Sequence, residues 1–433
     1  MRIHKTLPKR GPFAGASLLR VACLGVVLSV WPIADLVQAQ EWTRFRGPNG
    51  SGVSTASTVP VEWTADDYNW RVELPGVGHS SPVLWGDRVF LTCADLAAGQ
   101  GFLVCLDTAT GEEQWRQTFP LQKYKKHAQN SFATPTPVVD AERVYMLWQS
   151  PQTSQICAFT HQGDEVWRSD LGEFKAGHGS AVSLVEYDGM IYFCNDQTGP
   201  SYLLALDAAT GAERWKLPRE TDRACYSTPC IYAPTGRPVE LIVSHSYEGI
   251  TSHNPQTGEQ LWRMTPFGDF QQRACASPII AGELVIACSG FATAEKNVVV
   301  VKPPHAGGPE KPEEAYRLTK TAPHVPTPLV HGDRIYLWND RGIATCADLA
   351  TGKTIWVQRV GGNYFGSPVW IDGKLYCIDT DGVVSVISAS DEYELLARNP
   401  LDEGSCATPA VAGGVLYLRT DKHLVSLGGE KSK

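Results

Sequence analysis

The chain has 433 residues, with 38 basic against 46 acidic side chains and a net charge of −8. That length exceeds one ordinary layered domain and suits a large propeller, and the acidic balance argues against a general nucleic-acid binder. Its 40 glycines, 29 prolines and 13 tryptophans, beside only 4 methionines, favour many short strands and turns over long helices.

The first element stands outside the fold. Arg2, Lys5, Lys9 and Arg10 make a basic start, and an apolar stretch from Ala14 to about Ile33 is interrupted by Arg20. Val37 and Ala39 then supply the small residues that a signal peptidase reads. Residues 1–39 read as a signal peptide cut before Gln40. An uncleaved anchor is the competing reading, but the strongest apolar run is short for a membrane span. A lipid anchor at Cys23 is disfavoured by Arg20, which stands where a lipobox has leucine. The protein is thus expected to be exported to the periplasm or cell envelope, with no transmembrane segment after cleavage. Residues 40–66 form an N-terminal extension, 67–427 the repeats and 428–433 a tail.

Eight repeats follow. A small hydroxyl residue plus proline recurs seven residues before the centre of a β run, at Ser81-Pro82, Thr136-Pro137, Ser277-Pro278, Thr327-Pro328, Ser367-Pro368 and Thr408-Pro409. Ser180-Ala181 and Thr228-Pro229 are looser copies with a longer first turn, which makes eight. A spacing of 40 to 55 residues is that of one propeller blade. Each unit then shows an apolar strand, a tight turn such as Ile371-Asp372-Gly373, a Val/Ile/Leu strand with Tyr or Phe, and two further strands. The expected fold is all-β, an eight-bladed propeller of four-stranded antiparallel blades. The eighth unit stops one strand short, and Tyr68–Leu74 reads as the Trp-bearing strand that completes it, leaving no exposed sheet edge at the seam.

The last part of the unit is the most specific. CLDTATGEEQW at 105–115, ALDAATGAERW at 205–215 and CADLATGKTIW at 346–356 share Asp-x-x-Thr-Gly, in which Asp can cap backbone amides and Gly can take a positive φ. Trp115, Trp167, Trp215, Trp262 and Trp356 fall at one place on the outer strand, where each ring can pack on the neighbouring blade and bury about 150 Å² or more. They are structural docking residues. Two units depart: the fifth replaces its last turn with 302–316, and the seventh has no tryptophan, so weaker docking is expected there. Cys105, Cys157 and Cys346 share one repeat position and Cys275 and Cys406 another, which points to small buried side chains. Disulfide or metal roles are the alternatives, with Cys225 and Cys230 the first pair to test.

The eleven-residue pattern, small-x-Asp-x-x-Thr-Gly-x-x-x-Trp, resembles the docking motif of PQQ-like (pyrroloquinoline-quinone-like) repeats in the quinoprotein alcohol dehydrogenase-like superfamily, over about residues 79–427. The opening Trp42-Thr43-Arg44-Phe45-Arg46-Gly47-Pro48-Asn49-Gly50 is similar to that of exported PQQ-like repeat proteins of planctomycete-type bacteria. The resemblance implies one of two functions. The first is a non-catalytic binding or assembly platform, like the propeller subunit of the outer-membrane protein assembly machinery. The second is a PQQ-dependent alcohol or sugar dehydrogenase, with quinone and Ca²⁺ in the central funnel beside an aspartate base. Such enzymes are typically longer, and the alcohol dehydrogenases carry adjacent cysteines that this chain lacks. No cofactor is expected under the first reading.

In a propeller, function belongs to the loops that join one blade's outer strand to the next blade's inner strand. His79, His178, Tyr226, His324 and Phe365 fall at or beside the position three residues before the proline, where they either bind a flat ligand or fill the funnel mouth. The same loops are rich in bases, among them Lys123, Lys125, Lys126, Arg223 and Arg273, and a positive face could capture another envelope protein or an acidic ligand. Scattered solvated lysines are the alternative. A monomer is expected.

Overall fold

The computed structural model describes residues 42–221, 223–245, 247–267, 273–291 and 295–430, so the expected signal peptide, residues 1–39, lies outside the described residues. Among these residues the only helical pieces are two short 3-10 turns, Pro48–Gly50 and Ala65–Asp67. The rest of the regular structure is strand, arranged as the eight-bladed propeller that the repeats predict. Blade 1 comprises Val83–Trp85, Arg88–Asp95, Gln100–Asp107 and Glu113–Pro120, and blades 2 to 7 cover 138–172, 185–219, 230–264, 279–318, 329–359 and 369–400. Blade 8 takes Ala410–Ala412, Val415–Arg419 and His423–Gly428 from the C-terminal end. Its outer strand, Tyr68–Glu73, comes from the N-terminal end and pairs antiparallel with His423–Gly428.

The two central strands of each blade are continuous apolar runs because blades stack on both faces; Leu284–Gly290 and Lys296–Lys302 of blade 5 are buried almost throughout. Outer strands have one face in solvent, so Glu213–Arg219 alternates and buries Trp215. A β-bulge just before each tryptophan position shifts the register and aims the ring at the next blade. There the indole Nε1 donates to a backbone carbonyl at 2.9 Å: Trp70 to Thr108, Trp115 to His161, Trp167 to Ala208, Trp215 to Pro255 and Trp356 to Ser390. Trp262 instead donates to Glu240 Oε2 at 2.7 Å within its own blade, because the next blade lacks the Asp-x-x-Thr-Gly turn.

The turn glycine completes the joint. Gly211 has φ 71°, and a Cβ there would lie 2.5 Å from the Trp167 ring. Gly211→Ala is therefore expected to combine backbone strain with a clash and to cost about 2 kcal/mol or more in chemical unfolding.

The two aberrant blades are docked by other means. Tyr316 stands in the tryptophan register of blade 5 and donates to Leu349 O at 2.6 Å, with its ring over Gly352. In blade 7 the register position is Ala397, and the N-terminal extension fills the gap. Tyr376 Oη donates to Pro60 O at 3.2 Å, Asn399 bridges Val61 O and Trp63 N, and Trp63 is buried. The expected weak joints are thus replaced by substitutes with no sequence period.

The repeated hydroxyls form a belt around the axis. The amide of Ser81 donates to Thr136 Oγ1, and the same link runs from Thr136 to Ser183, then Thr228, Ser277, Thr327, Ser367 and Thr408, each at 3.0 or 3.1 Å. This corrects the third repeat, whose belt residue is Ser183 rather than Ser180. Ser180 Oγ is spent on Gln149 Oε1 at 2.6 Å. The residue in register with His79 is consequently Ala181, and His178 lies one step further up its loop. None of the eleven described cysteines is in a disulfide, so the Cys225–Cys230 pair does not form.

Candidate functional site

The axis is closed at one end and open at the other. The segment Trp42–Ser54 crosses the inner strands beyond the hydroxyl belt: Leu84 N donates to Trp42 O and Val139 N to Thr43 O, both at 2.9 Å. Asn49 exchanges two hydrogen bonds with Ile231, and Trp370 N donates to Gly52 O. Two buried arginines, with backbone carbonyls as their hydrogen-bond acceptors, fasten it. Arg44 donates to Pro229 O at 2.7 Å. Arg46 donates to Gly50, Ser51, Thr327, Pro328 and Pro368 carbonyls at 3.0 to 3.4 Å. Burial pulls Arg44 down to about 10 and Arg46 to about 9, so both stay charged at neutral pH.

Above this floor lies a cup of about 850 Å³, with Phe45 at its base, seven belt hydroxyls in its wall and the blade-entry residues His79, Thr134, Ala181, Tyr226, Cys275, Val325, Phe365 and Cys406 above them. His178 and His324 also line it, so all five funnel-mouth residues meet in one cavity. The connector 121–137 leans over the mouth and stacks His127 on His178, ring centroids 5.3 Å apart and 6° from parallel. Cys275 Sγ lies 3.5 Å from His324 Nε2.

Three of the cup's imidazoles, His79, His178 and His324, are held neutral. His79 is lowered to about 3 by burial, with Arg419 and Lys126 adding repulsion. His178 is lowered to about 4 by burial and then by Arg273, His127, Arg223 and Lys125. His324 is also lowered by burial, against the opposing pull of Asp340. The Asp340 carboxylate accepts the His324 amide at 2.8 Å and the Val325 amide at 3.0 Å, with Lys296 Nζ at 3.4 Å.

The basic residues have divided roles. Lys123 and Lys125 are exposed on the 121–137 connector. Lys126 turns inward, donates to Asn130 O and sits 5.2 Å over the Phe132 ring. Arg223 is half-buried, and Arg273 belongs to the cup wall. Several other bases of these loops are matched: Arg116 by Glu113 at 2.6 Å, Arg168 by Glu165 at 2.5 Å, and buried Arg219 by Asp196 at 2.8 Å and Glu248 at 3.2 Å.

Beside the cup, buried Asp196, Cys225 and His245 present ligand-type atoms within 4.8 Å of one another. His245 Nδ1 accepts the Tyr247 and Glu248 amides at 3.1 Å each, which puts the neutral ring's proton on Nε2, 3.6 Å from Asp196 Oδ2. A cation would have to displace that proton beside the Arg219 guanidinium. Asp196 is already paired with Arg219 at 2.8 Å, so the trio is better described as two neutral side chains beside a buried ion pair.

Sequence reasoning missed Phe45, His127, Asp340 and Asp421, all of which line the cup. The last two stand after the second strand of their blades, a position at which no repeated motif drew attention.

The family profile described as outer membrane protein assembly factor BamB matches residues 61–239 and 248–426. The chain belongs to that family. Among solved structures, BamB from Moraxella catarrhalis is similar at TM-score 0.59 and 14% identity, over 88% of this chain and 99% of that one. This BamB-family chain is also similar to two dehydrogenases. Quinohemoprotein alcohol dehydrogenase from Comamonas testosteroni matches at TM-score 0.65 and 12% identity, over 92% of this chain and 82% of that one. A europium-containing methanol dehydrogenase matches at TM-score 0.63 and 10% identity, over 88% and 89%. At such identities the likeness is one of fold. The shared propeller makes up most of those enzymes, so chain length separates the two functions less than the sequence suggests. No curated protein matches the chain.

Proposed function

We propose that this BamB-family protein is a non-catalytic binding or assembly platform of the cell envelope, exported by its N-terminal segment. The observation that supports this most is the state of the cup's carboxylates. A hard cation such as Ca²⁺ takes six to eight oxygen ligands, usually with several carboxylates among them. Among the described residues the cup offers Asp340, already engaged by two amides and Lys296, and Asp421, two blades away. These residues do not fit a quinone–calcium centre. Asp107, Asp207 and Asp348 each bind their own turn, through the Thr110, Thr210 and Thr351 hydroxyls, and none faces the cup.

Two measurements test the reading. Purified protein given PQQ and Ca²⁺ is expected to reduce no dye with alcohols or sugars, and clear turnover would replace a platform with an enzyme. Charge reversal of the exposed pair, Lys123→Glu with Lys125→Glu, is expected to lower capture of an envelope partner in a pull-down at low salt about tenfold. Unchanged capture would remove the positive face from the proposal.

A further inference from the structure

Among the described residues that line the cup, Arg273 and the more exposed Arg341 stand outside its ion pair of Lys296 with Asp340. Arg273 Nη1 donates to neutral acceptors, Ala224 O at 2.9 Å and Tyr226 Oη at 3.4 Å, and its Cζ lies 5.9 Å from the Tyr226 ring centroid. Its Nε is buried with no hydrogen-bond partner. His178 Nδ1 is also buried without a partner, its ring 6.5 Å from that of Tyr226. Buried polar atoms in native proteins are nearly always satisfied, and those that are not usually mark a missing ligand or water. Here two unsatisfied nitrogens belong to side chains that neighbour one aromatic ring in the cavity wall. The lining carboxylates cannot serve them, since Asp340 is held by Lys296 and two amides and Asp421 belongs to blade 8, on the far side of the ring.

From this arrangement we infer that the Arg273 side of the cup receives a carboxylate, carried on an apolar body that extends down toward Phe45. A guanidinium pairs with a carboxylate through two parallel N–H···O bonds, and an Nδ1–H on His178 would donate to the same group. With His79 and His178 neutral, the local positive charge suits a monoanion better than a phosphate dianion. Phe45, Phe291, Val325 and Phe365 supply the apolar lining, and about 850 Å³ is within the usual range for a small-molecule pocket. The inference rests on reading the cup as part of a binding protein, and it adds the chemistry of what enters.

The test uses the mature full chain with phenylacetate as the probe and phenylacetamide as its neutral isostere. Calorimetry is expected to show the acid binding at least tenfold more tightly than the amide, and the His178 ring-proton resonance should move as the acid is added. Arg273→Gln should abolish the tenfold preference and Arg273→Lys should keep part of it. Equal binding of acid and amide, or a stationary His178 resonance at saturation, would overturn the assignment. The resonance is read on the unaltered protein, so it decides even where a variant fails to fold. Two sources supply such a group, a free apolar acid or a polypeptide C-terminus. A pentapeptide ending in phenylalanine with a free carboxylate separates them: tighter binding than phenylacetate indicates a chain terminus, and exclusion indicates a free acid. Partner capture measured on the Arg273→Gln chain keeps the two proposals apart, because lost acid binding with retained capture leaves the platform reading standing.

Discussion

Arg46→Ala is expected to lower the free energy of unfolding by about 3–5 kcal/mol, from stranded carbonyl acceptors together with a large-to-small cavity. The side chain is fully buried, and its guanidinium joins the N-terminal segment to carbonyls at the inner strands of blades 6 and 7. Truncation leaves those carbonyls unsatisfied at about 1–3 kcal/mol for each that water cannot reach, and it opens a cavity beside Gly52. Arg46→Lys should recover only part of the loss, since an ammonium has three donors on a point charge and cannot span two blades as a planar fork does. Equilibrium unfolding in guanidinium chloride measures both, with exposed Lys123→Ala as a control expected within about 0.5 kcal/mol of the parent. A change below about 1 kcal/mol for Arg46→Ala would mean that the floor opens independently of the propeller.

What the sequence makes legible follows from what repeats. A residue that docks on the next copy of its own unit must recur with that unit, which is why the tryptophans, the turn glycines and the belt hydroxyls all stand out. The closing strand Tyr68–Glu73 is legible for the same reason, as a tryptophan strand lacking its partners. Features made once carry no such signal. Arg46 reaches carbonyls 281, 282 and 322 residues away, and nothing in its local spacing indicates them. Tyr316 and the Pro60–Trp63 stretch do a tryptophan's work with different chemistry, so a motif search passes over them. The third repeat is misread because Ser180 and Ser183 are both plausible starts, and only the contact with Gln149 removes the first from the belt. Three of the five funnel-mouth residues, His79, Tyr226 and Phe365, stand in register, whereas His178 and His324 lie off it and His127 arrives on a connector of irregular length.

Trp70→Ala should be the most damaging of the tryptophan replacements, because its ring serves two joints at once. It packs on Gly111 and donates to Thr108 O of blade 1, and it also meets Tyr417 in a C-terminal strand of its own blade, centroids 6.0 Å apart. A buried tryptophan replaced by alanine costs about 3–5 kcal/mol. Trp356→Ala belongs to the same range, but in blade 6 every strand comes from one continuous stretch of chain, so the blade stays assembled without that ring. In blade 8 the ring closes only where Tyr68–Glu73 pairs with His423–Gly428, so weakening Trp70 lowers the cost of separating the chain's two ends. Native-state hydrogen exchange distinguishes the two. In the Trp70→Ala chain the amides of His423–Gly428 should exchange through an opening several kcal/mol cheaper than global unfolding. In the Trp356→Ala chain the same amides should exchange only with the whole molecule. If they behave alike in both variants, ring closure does not depend on the Trp70 side chain, and the backbone ladder alone holds the propeller shut.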